Sequence, residues 1–126
     1  MMKALIVDDA KVVRVALGRI MNQLGFESID AADGQQALDQ MEAHPDVDVV
    51  MLDWNMPVMN GYDFLVAMRG MEQHGSSPKV VMVTTETGMP SMLKALAAGA
   101  DEYIMKPFDK EMVAGKLEIV GLECNA

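Results

Sequence analysis

Four continuous apolar runs of strand length each stop at a residue with pointed chemistry: Leu5–Val7 at Asp8-Asp9, Val49–Leu52 at Asp53, Val80–Val83 at Thr84, and Tyr103–Met105 at Lys106. Runs that are apolar at every position, rather than at every second one, suit strands covered on both faces, which means a parallel sheet flanked by helices. Strands of such a sheet all point the same way, so their C-terminal ends share one edge, where open α/β sheets bind ligands. Three carboxylates, a hydroxyl and an ammonium are therefore expected to meet there.

Helical periods fill the intervals. Val13, Leu17, Ile20 and Leu24 form an amphipathic stripe that ends at Gly25, and similar stripes run through Ala37-Leu38-Met41, Phe64-Leu65-Met68, Met89-Leu93-Leu96 and Met112-Val113-Leu117-Val120. A fifth and weaker strand, Glu27–Ala32, has the mixed polarity of a sheet edge. Breakers mark the connections at Asp33-Gly34, His44-Pro45, Asn60-Gly61, Ser76-Ser77-Pro78 and Gly99. Right-handed crossovers then predict a doubly wound five-stranded parallel sheet with helices on both faces. The order 2-1-3-4-5 puts the weak strand at the edge and makes the first and third strands neighbours at the switch point. With strands ~4.8 Å apart, Asp8-Asp9 would sit one spacing from Asp53, Thr84 one beyond it and Lys106 two, within reach of a lysine side chain.

Composition narrows the partners. The 126 residues, 51% of them hydrophobic, suffice for one domain with a real core, and the expectation is a single domain over 1–126 with no output domain attached. A formal charge of −9 argues against nucleic acid and against an anionic membrane surface, and favours cations or basic protein faces. The only cysteine, Cys124, allows no internal disulfide, and the N-terminal residues are too few and too polar for a signal peptide or membrane span. A cytoplasmic, soluble monomer is the expectation. His44 and His74 lie in predicted loops without metal-binding spacing, and most of the 14 methionines are expected to fill the core, with Met89, Met92 and Met112 on helices where a partner could dock.

The converging groups permit a specific chemistry. Three clustered carboxylates repel one another, and a divalent cation removes the conflict; an all-oxygen donor set suits Mg²⁺ better than zinc. Asp8, Asp9 and Asp53 are assigned to that metal. Any one aspartate after a strand is more often a helix cap, but coincidence at two adjoining strand ends favours the metal. An aspartate can accept a phosphoryl group as an acyl phosphate when cations balance the transferring charge, and Asp53, at the end of the most apolar strand, is the expected nucleophile. Lys106 and Thr84 would contact equatorial phosphoryl oxygens. Singly, a threonine closing a strand is an ordinary β former, and a lysine before proline an ordinary loop charge.

Asp8-Asp9, Leu52-Asp53-Trp54-Asn55-Met56-Pro57 with Gly61, Thr84 with Glu86, and Tyr103 with Lys106-Pro107-Phe108 together resemble the receiver domain of two-component response regulators, over nearly the whole chain. The chain is most similar to the stand-alone CheY-type chemotaxis regulators. The resemblance implies a flavodoxin-like fold, and it implies that Asp53 takes a phosphoryl group from a histidine kinase. It implies that Mg²⁺ is held by Asp9, Asp53 and the backbone carbonyl of Asn55, with Asp8 helping through water. It implies a switch in which the Thr84 hydroxyl moves toward the phosphate and the Tyr103 ring turns inward, remodelling the face of the fourth and fifth helices for a target such as a flagellar motor switch protein. A phosphatase is an optional further partner. Thr85, where many relatives carry a smaller residue, and Glu86 are expected to modulate water access to the phosphate, and Asn60 replaces an Asp common in relatives while still supporting a turn. The Lys106-Pro107 bond is expected to be cis.

Three other readings compete. A phosphate-sink or phosphorelay receiver would use the same residues. A phosphohydrolase of the haloacid dehalogenase type would share the aspartate nucleophile, but such enzymes normally carry a second aspartate where this chain has Asn55, and they need more chain for a cap. A metal-binding interaction module would not need the combination of Lys106, Asp53 and Thr84.

Overall fold

The computed structural model describes residues 1–71, 78–85 and 89–124. Strand and helix alternate throughout: β1 (Met2–Val7), α1 (Lys11–Gln23), β2 (Phe26–Ala31), α2 (Gly34–Ala43), β3 (Val49–Leu52), α3 (Gly61–Arg69), β4 (Lys79–Thr84), α4 (Met89–Ala98), β5 (Glu102–Met105) and α5 (Lys110–Ile119). The five strands form one parallel sheet in the order β2-β1-β3-β4-β5, as expected. The edge strand covers Phe26–Ala31, one residue earlier than its polarity pattern suggested.

Polar residues before the helices explain where they start. The side chains of Asp33, Asn60 and Asp109 each accept the N–H three residues on, from Gln36, Asp63 and Met112, all at 2.8 Å. Helix α1 differs, because Ala10 occupies its cap position and offers no side-chain acceptor. Instead, Asp8 Oδ1 accepts the Ala10 N–H at 2.9 Å, so a residue of the sheet edge also closes the turn into α1.

The pleat of the sheet divides the core in two. Leu5, Val7, Val50, Leu52, Val80 and Met82 pack on the side of α2, α3 and α4, with Met41, Phe64, Leu65, Met68 and Ala95. Ala4, Ile6, Val49, Met51, Val81, Val83 and Ile104 pack on the side of α1 and α5, with Leu17, Met21, Val113 and Leu117. One expectation about the stripes requires correction. In α4 the buried position is Ala95, whereas Leu93 and Leu96 are 58% and 46% exposed. That helix is apolar around most of its circumference, so two stripes compete, and the one with the smaller residue faces the sheet. In α5 Met112 stands 42% exposed while its neighbour Val113 is buried, so of its two expected places, the core stripe and a face open to a partner, it takes the second.

Arg69, at the end of α3, ties three segments together. Its guanidinium donates to the carbonyl oxygens of Gly99 (2.8 Å) and Pro78 (2.7 Å) and to Asp101 Oδ2 (3.1 Å), which also accepts the Val80 N–H at 2.8 Å. The start of β4 and the α4–β5 turn are thereby fixed to α3 with their backbone polar groups satisfied.

One residue in the β3–α3 loop is strained. Val58 has φ +68°, and the Met59 N–H reaches back to the Pro57 carbonyl at 2.7 Å, closing a γ-turn of the rare positive-φ kind. A β-branched side chain is poorly suited to this region, and Val58 is 83% exposed, so no packing offsets the cost. Val58→Asn is expected to raise stability by about 1 kcal/mol, because asparagine adopts positive φ more readily than a β-branched residue does. Urea denaturation checks this, and a lower midpoint for the variant would contradict it.

Candidate functional site

The sheet's hydrogen-bond ladder continues one step past the strands and carries the site residues with it. The Asp8 N–H donates to the Ala31 carbonyl (3.1 Å), the Asp53 N–H to the Val7 carbonyl (2.9 Å), and the Lys106 N–H to the Thr84 carbonyl (3.0 Å). Asp8, Asp53 and Lys106 are thus anchored by their backbones to the neighbouring strands, which makes this part of the cluster a rigid extension of the sheet rather than a meeting of loops.

One ligand atom from each of Asp8, Asp9 and Asp53 lies within 4.8 Å of the others. Asp8 and Asp53 are buried and Asp9 is exposed. Lys106 Nζ lies 2.7 Å from Asp8 Oδ2 and 3.7 Å from Asp53 Oδ1, so the ammonium crosses the two strand spacings expected of it but pairs first with Asp8. Asp53 Oδ1 accepts the Trp54 N–H at 2.9 Å, and its carboxylate also accepts a hydrogen bond from the buried Thr84 hydroxyl. Burial, and after it the like charge of Asp8, pushes the Asp53 carboxyl above the usual carboxylate range, against the opposing pull of Lys106, Thr84 and the Trp54 N–H. An all-oxygen cluster with an excess of negative charge fits a hard divalent cation such as Mg²⁺.

Neighbouring segments shape the pocket. The β3–α3 loop folds back so that the Gly61 N–H donates to the Trp54 carbonyl at 2.8 Å, and a Cβ built on Gly61 would stand 2.1 Å from the Asp53 carbonyl oxygen. Asn55 and Thr85 are exposed beside the buried Asp53 and Thr84. The Lys106-Pro107 peptide is cis, as expected. Tyr103 is already buried, within the core cluster that contains Ala95 and against which Met92 packs. Glu86, His74 and the side chain of Met89 lie outside the described residues, as do Thr87 and Gly88. Cys124 takes no part, and burial together with Glu118 pushes its thiol up.

Several contacts near the site carry no signal in the sequence patterns. Arg14 Nη1 donates to the Asp8 carbonyl at 2.8 Å while its Nε donates to Asp30 Oδ2 at 3.1 Å. The Trp54 ring lies 5.9 Å from that of Tyr62, and Lys94 of α4 sits 4.3 Å over the Tyr62 ring. Beyond β5, Met92, Tyr103, Ile104, Met105, Met112 and Ile119 contribute to an apolar groove between α4 and α5, with Glu102, Glu111 and Lys116 also on its walls.

Residues 4–118 match the family profile of the response regulator receiver domain. The chemotaxis protein CheY1 of Helicobacter pylori is 38% identical over 120 residues, covering 94% of this chain and 96% of that protein. The chemotaxis protein CheY of Pseudomonas aeruginosa is 37% identical over 118 residues, covering 93% of this chain and 94% of that protein. Among solved structures, CheY4 of Vibrio cholerae superposes with a TM-score of 0.88 at 35% identity, covering 95% of this chain and 98% of that one. A CheX-CheY complex from Borrelia burgdorferi containing beryllofluoride and magnesium also superposes, with a TM-score of 0.88 at 31% identity, covering 97% of this chain and 90% of the matched one.

Proposed function

The chain belongs to the response regulator receiver family, and from that premise we propose that Asp53 is its phosphoacceptor, taking a phosphoryl group from a histidine kinase. An Asp53 carboxylate oxygen attacks phosphorus, the P–N bond to the donor imidazole breaks as the P–O bond forms, and the released imidazole nitrogen takes up a proton. Lys106 and Thr84 stand against Asp53 where they can hold two of the transferring oxygens. Receiver domains bind Mg²⁺ at an acidic pocket, and here Asp9, Asp53 and the Asn55 carbonyl would hold it. Both Asp8 carboxylate oxygens already serve Ala10 and Lys106, which supports a role for Asp8 through water. When bound, the metal neutralises charge on the transferring phosphoryl oxygens. Thr85, exposed next to the buried Thr84, and Glu86, the next residue in sequence, would modulate the entry of water that ends the acyl phosphate.

The reading extends to partners and place. The match spans 96% of the Helicobacter pylori relative, which supports a receiver domain of the same extent. No helix among the described residues is long and apolar enough to cross a membrane, and a cytoplasmic monomer suits a protein that shuttles between kinase and target. The Thr84–Tyr103 pair would couple the phosphoryl group to the groove between α4 and α5. A flagellar motor switch protein suits that face, and the Borrelia burgdorferi complex with CheX supports a phosphatase as a second partner. A haloacid dehalogenase-type hydrolase is disfavoured, since Asn55 provides no second acid.

The observation that carries the reading is the convergence of Asp8, Asp9 and Asp53 within 4.8 Å around a lysine 3.7 Å from Asp53. Trp54, the only tryptophan, adjoins the acceptor and reports on it. Beryllofluoride added with Mg²⁺ is expected to shift or quench its fluorescence. No response, or steady turnover of a generic phosphate ester, would contradict the proposal.

A further inference from the structure

We propose that Arg14 is a positioning residue that aims the Asp9 carboxylate at the pocket by clamping the peptide plane between Asp8 and Asp9; the proposal rests on the metal-dependent phosphoacceptor reading above. The two aspartates are secured very differently. Asp8 is held at every polar atom: its N–H by Ala31, Oδ1 by Ala10, Oδ2 by Lys106 and its carbonyl by Arg14. Asp9 is exposed, and among the described residues its side chain makes no hydrogen bond or ion pair, so the backbone alone fixes the Cα–Cβ direction from which its carboxylate reaches. The carbonyl that Arg14 grips at 2.8 Å belongs to the peptide joining Asp8 to Asp9. Turning that peptide plane changes φ of Asp9, which redirects its Cα–Cβ bond and, with it, the carboxylate.

The clamp is itself fixed. The Arg14 side chain is 16% exposed, its stem lies on α1, and its Nε is anchored 3.1 Å from Asp30 Oδ2 on the edge strand. One guanidinium thus ties α1, β2 and the β1–α1 turn together, and a planar fork with separate donors can satisfy two acceptors in fixed directions where an ammonium cannot. Outer groups that orient metal ligands carry much of a site's affinity.

The sign of the effect separates positioning from charge. Arg14 is a cation close to a cation site, so by Coulomb's law alone its removal should tighten Mg²⁺ binding. If it aims Asp9, its removal loosens the ligand and weakens binding despite the relief of repulsion.

The test is a Mg²⁺ titration followed by Trp54 fluorescence and by calorimetry, on wild type, Arg14→Met, Arg14→Lys and a control, Leu117→Ala, whose lost core packing on α5 lies away from the pocket. Thermal melts report the stability of each. Arg14→Met is expected to bind Mg²⁺ about tenfold more weakly. Arg14→Lys should fall between it and wild type, and Leu117→Ala should keep wild-type affinity at lower stability. Unchanged or tighter binding by Arg14→Met, or an equal weakening by Leu117→Ala, overturns the proposal. If Arg14→Met fails to fold, Arg14→Lys decides by the same sign. A wild type that does not respond to Mg²⁺ would instead sink the phosphoacceptor reading, and this inference with it.

Discussion

Asp53→Asn is expected to abolish phosphoryl acceptance while making the metal-free protein more stable at neutral pH. The first effect follows from chemistry, since an amide oxygen has neither the charge nor the basicity to form an acyl phosphate. The second follows from the pocket. Burial and the charge of Asp8 hold the Asp53 carboxyl above its ordinary range, so at neutral pH the folded state carries an unfavourable charge that unfolding would relieve. Lys106 keeps its shorter partner, Asp8 at 2.7 Å, when that charge is removed. Between the ordinary carboxylate range and the raised value, the folded state holds a proton that the unfolded state has lost. Wild-type stability should therefore fall as pH rises through that window and stay low above it. The variant lacks this decline and should exceed wild type by about 1 kcal/mol at neutral pH. Urea denaturation across a pH series measures both curves. A variant that is less stable than wild type at neutral pH, or that still accepts a phosphoryl group, would contradict the account.

Gly61→Ala is expected to damage fold and site together. A Cβ at this position would lie 2.1 Å from the Asp53 carbonyl oxygen and 3.0 Å from the Trp54 Cα, both backbone atoms. No side chain can turn aside to make room. The Asp53 N–H is bonded to the Val7 carbonyl, so the β3 end is held by the sheet, and the start of α3 would have to retreat instead. Overpacking of this kind costs about 3 kcal/mol, the upper part of the usual range, because rigid backbone meets rigid backbone. The retreat would break the Gly61 to Trp54 hydrogen bond at 2.8 Å and move Asn55 relative to the aspartates. Weakened Mg²⁺ binding together with a lowered unfolding midpoint is the expected pair of results. Wild-type stability in the variant would show that the close approach is not as described.

How legible the molecule was in its sequence depended on the range of the interactions involved. Continuous apolar runs such as Val49–Leu52 revealed buried parallel strands, and the residues that end those runs revealed the pocket, because strand direction and crossover handedness place them without further detail. The weak polarity pattern of β2 correctly marked the edge. Periodicity failed in α4, where Leu93 and Leu96 looked like a core stripe but Ala95 is the buried residue; a helix apolar on several faces leaves the choice to tertiary packing. Single cations were the least legible. Nothing local distinguishes Arg69, which joins Pro78, Gly99 and Asp101, or Arg14, which joins Asp8 and Asp30, from solvated surface charges, since their partners are remote in sequence or belong to the backbone. The pairing of Lys106 with Asp8 ahead of Asp53 was hidden for the same reason: topology sets the reach of a lysine, but not which of two carboxylates it prefers.

Intact-protein mass spectrometry after incubation with a small-molecule phosphodonor, with and without Mg²⁺, tests the central claim most directly when followed by peptide mapping. The account predicts one added phosphoryl group, dependent on Mg²⁺, released by hydroxylamine as an acyl phosphate must be, and mapped to Asp53. A label on any other residue, or none on the folded protein with Mg²⁺ present, would contradict it.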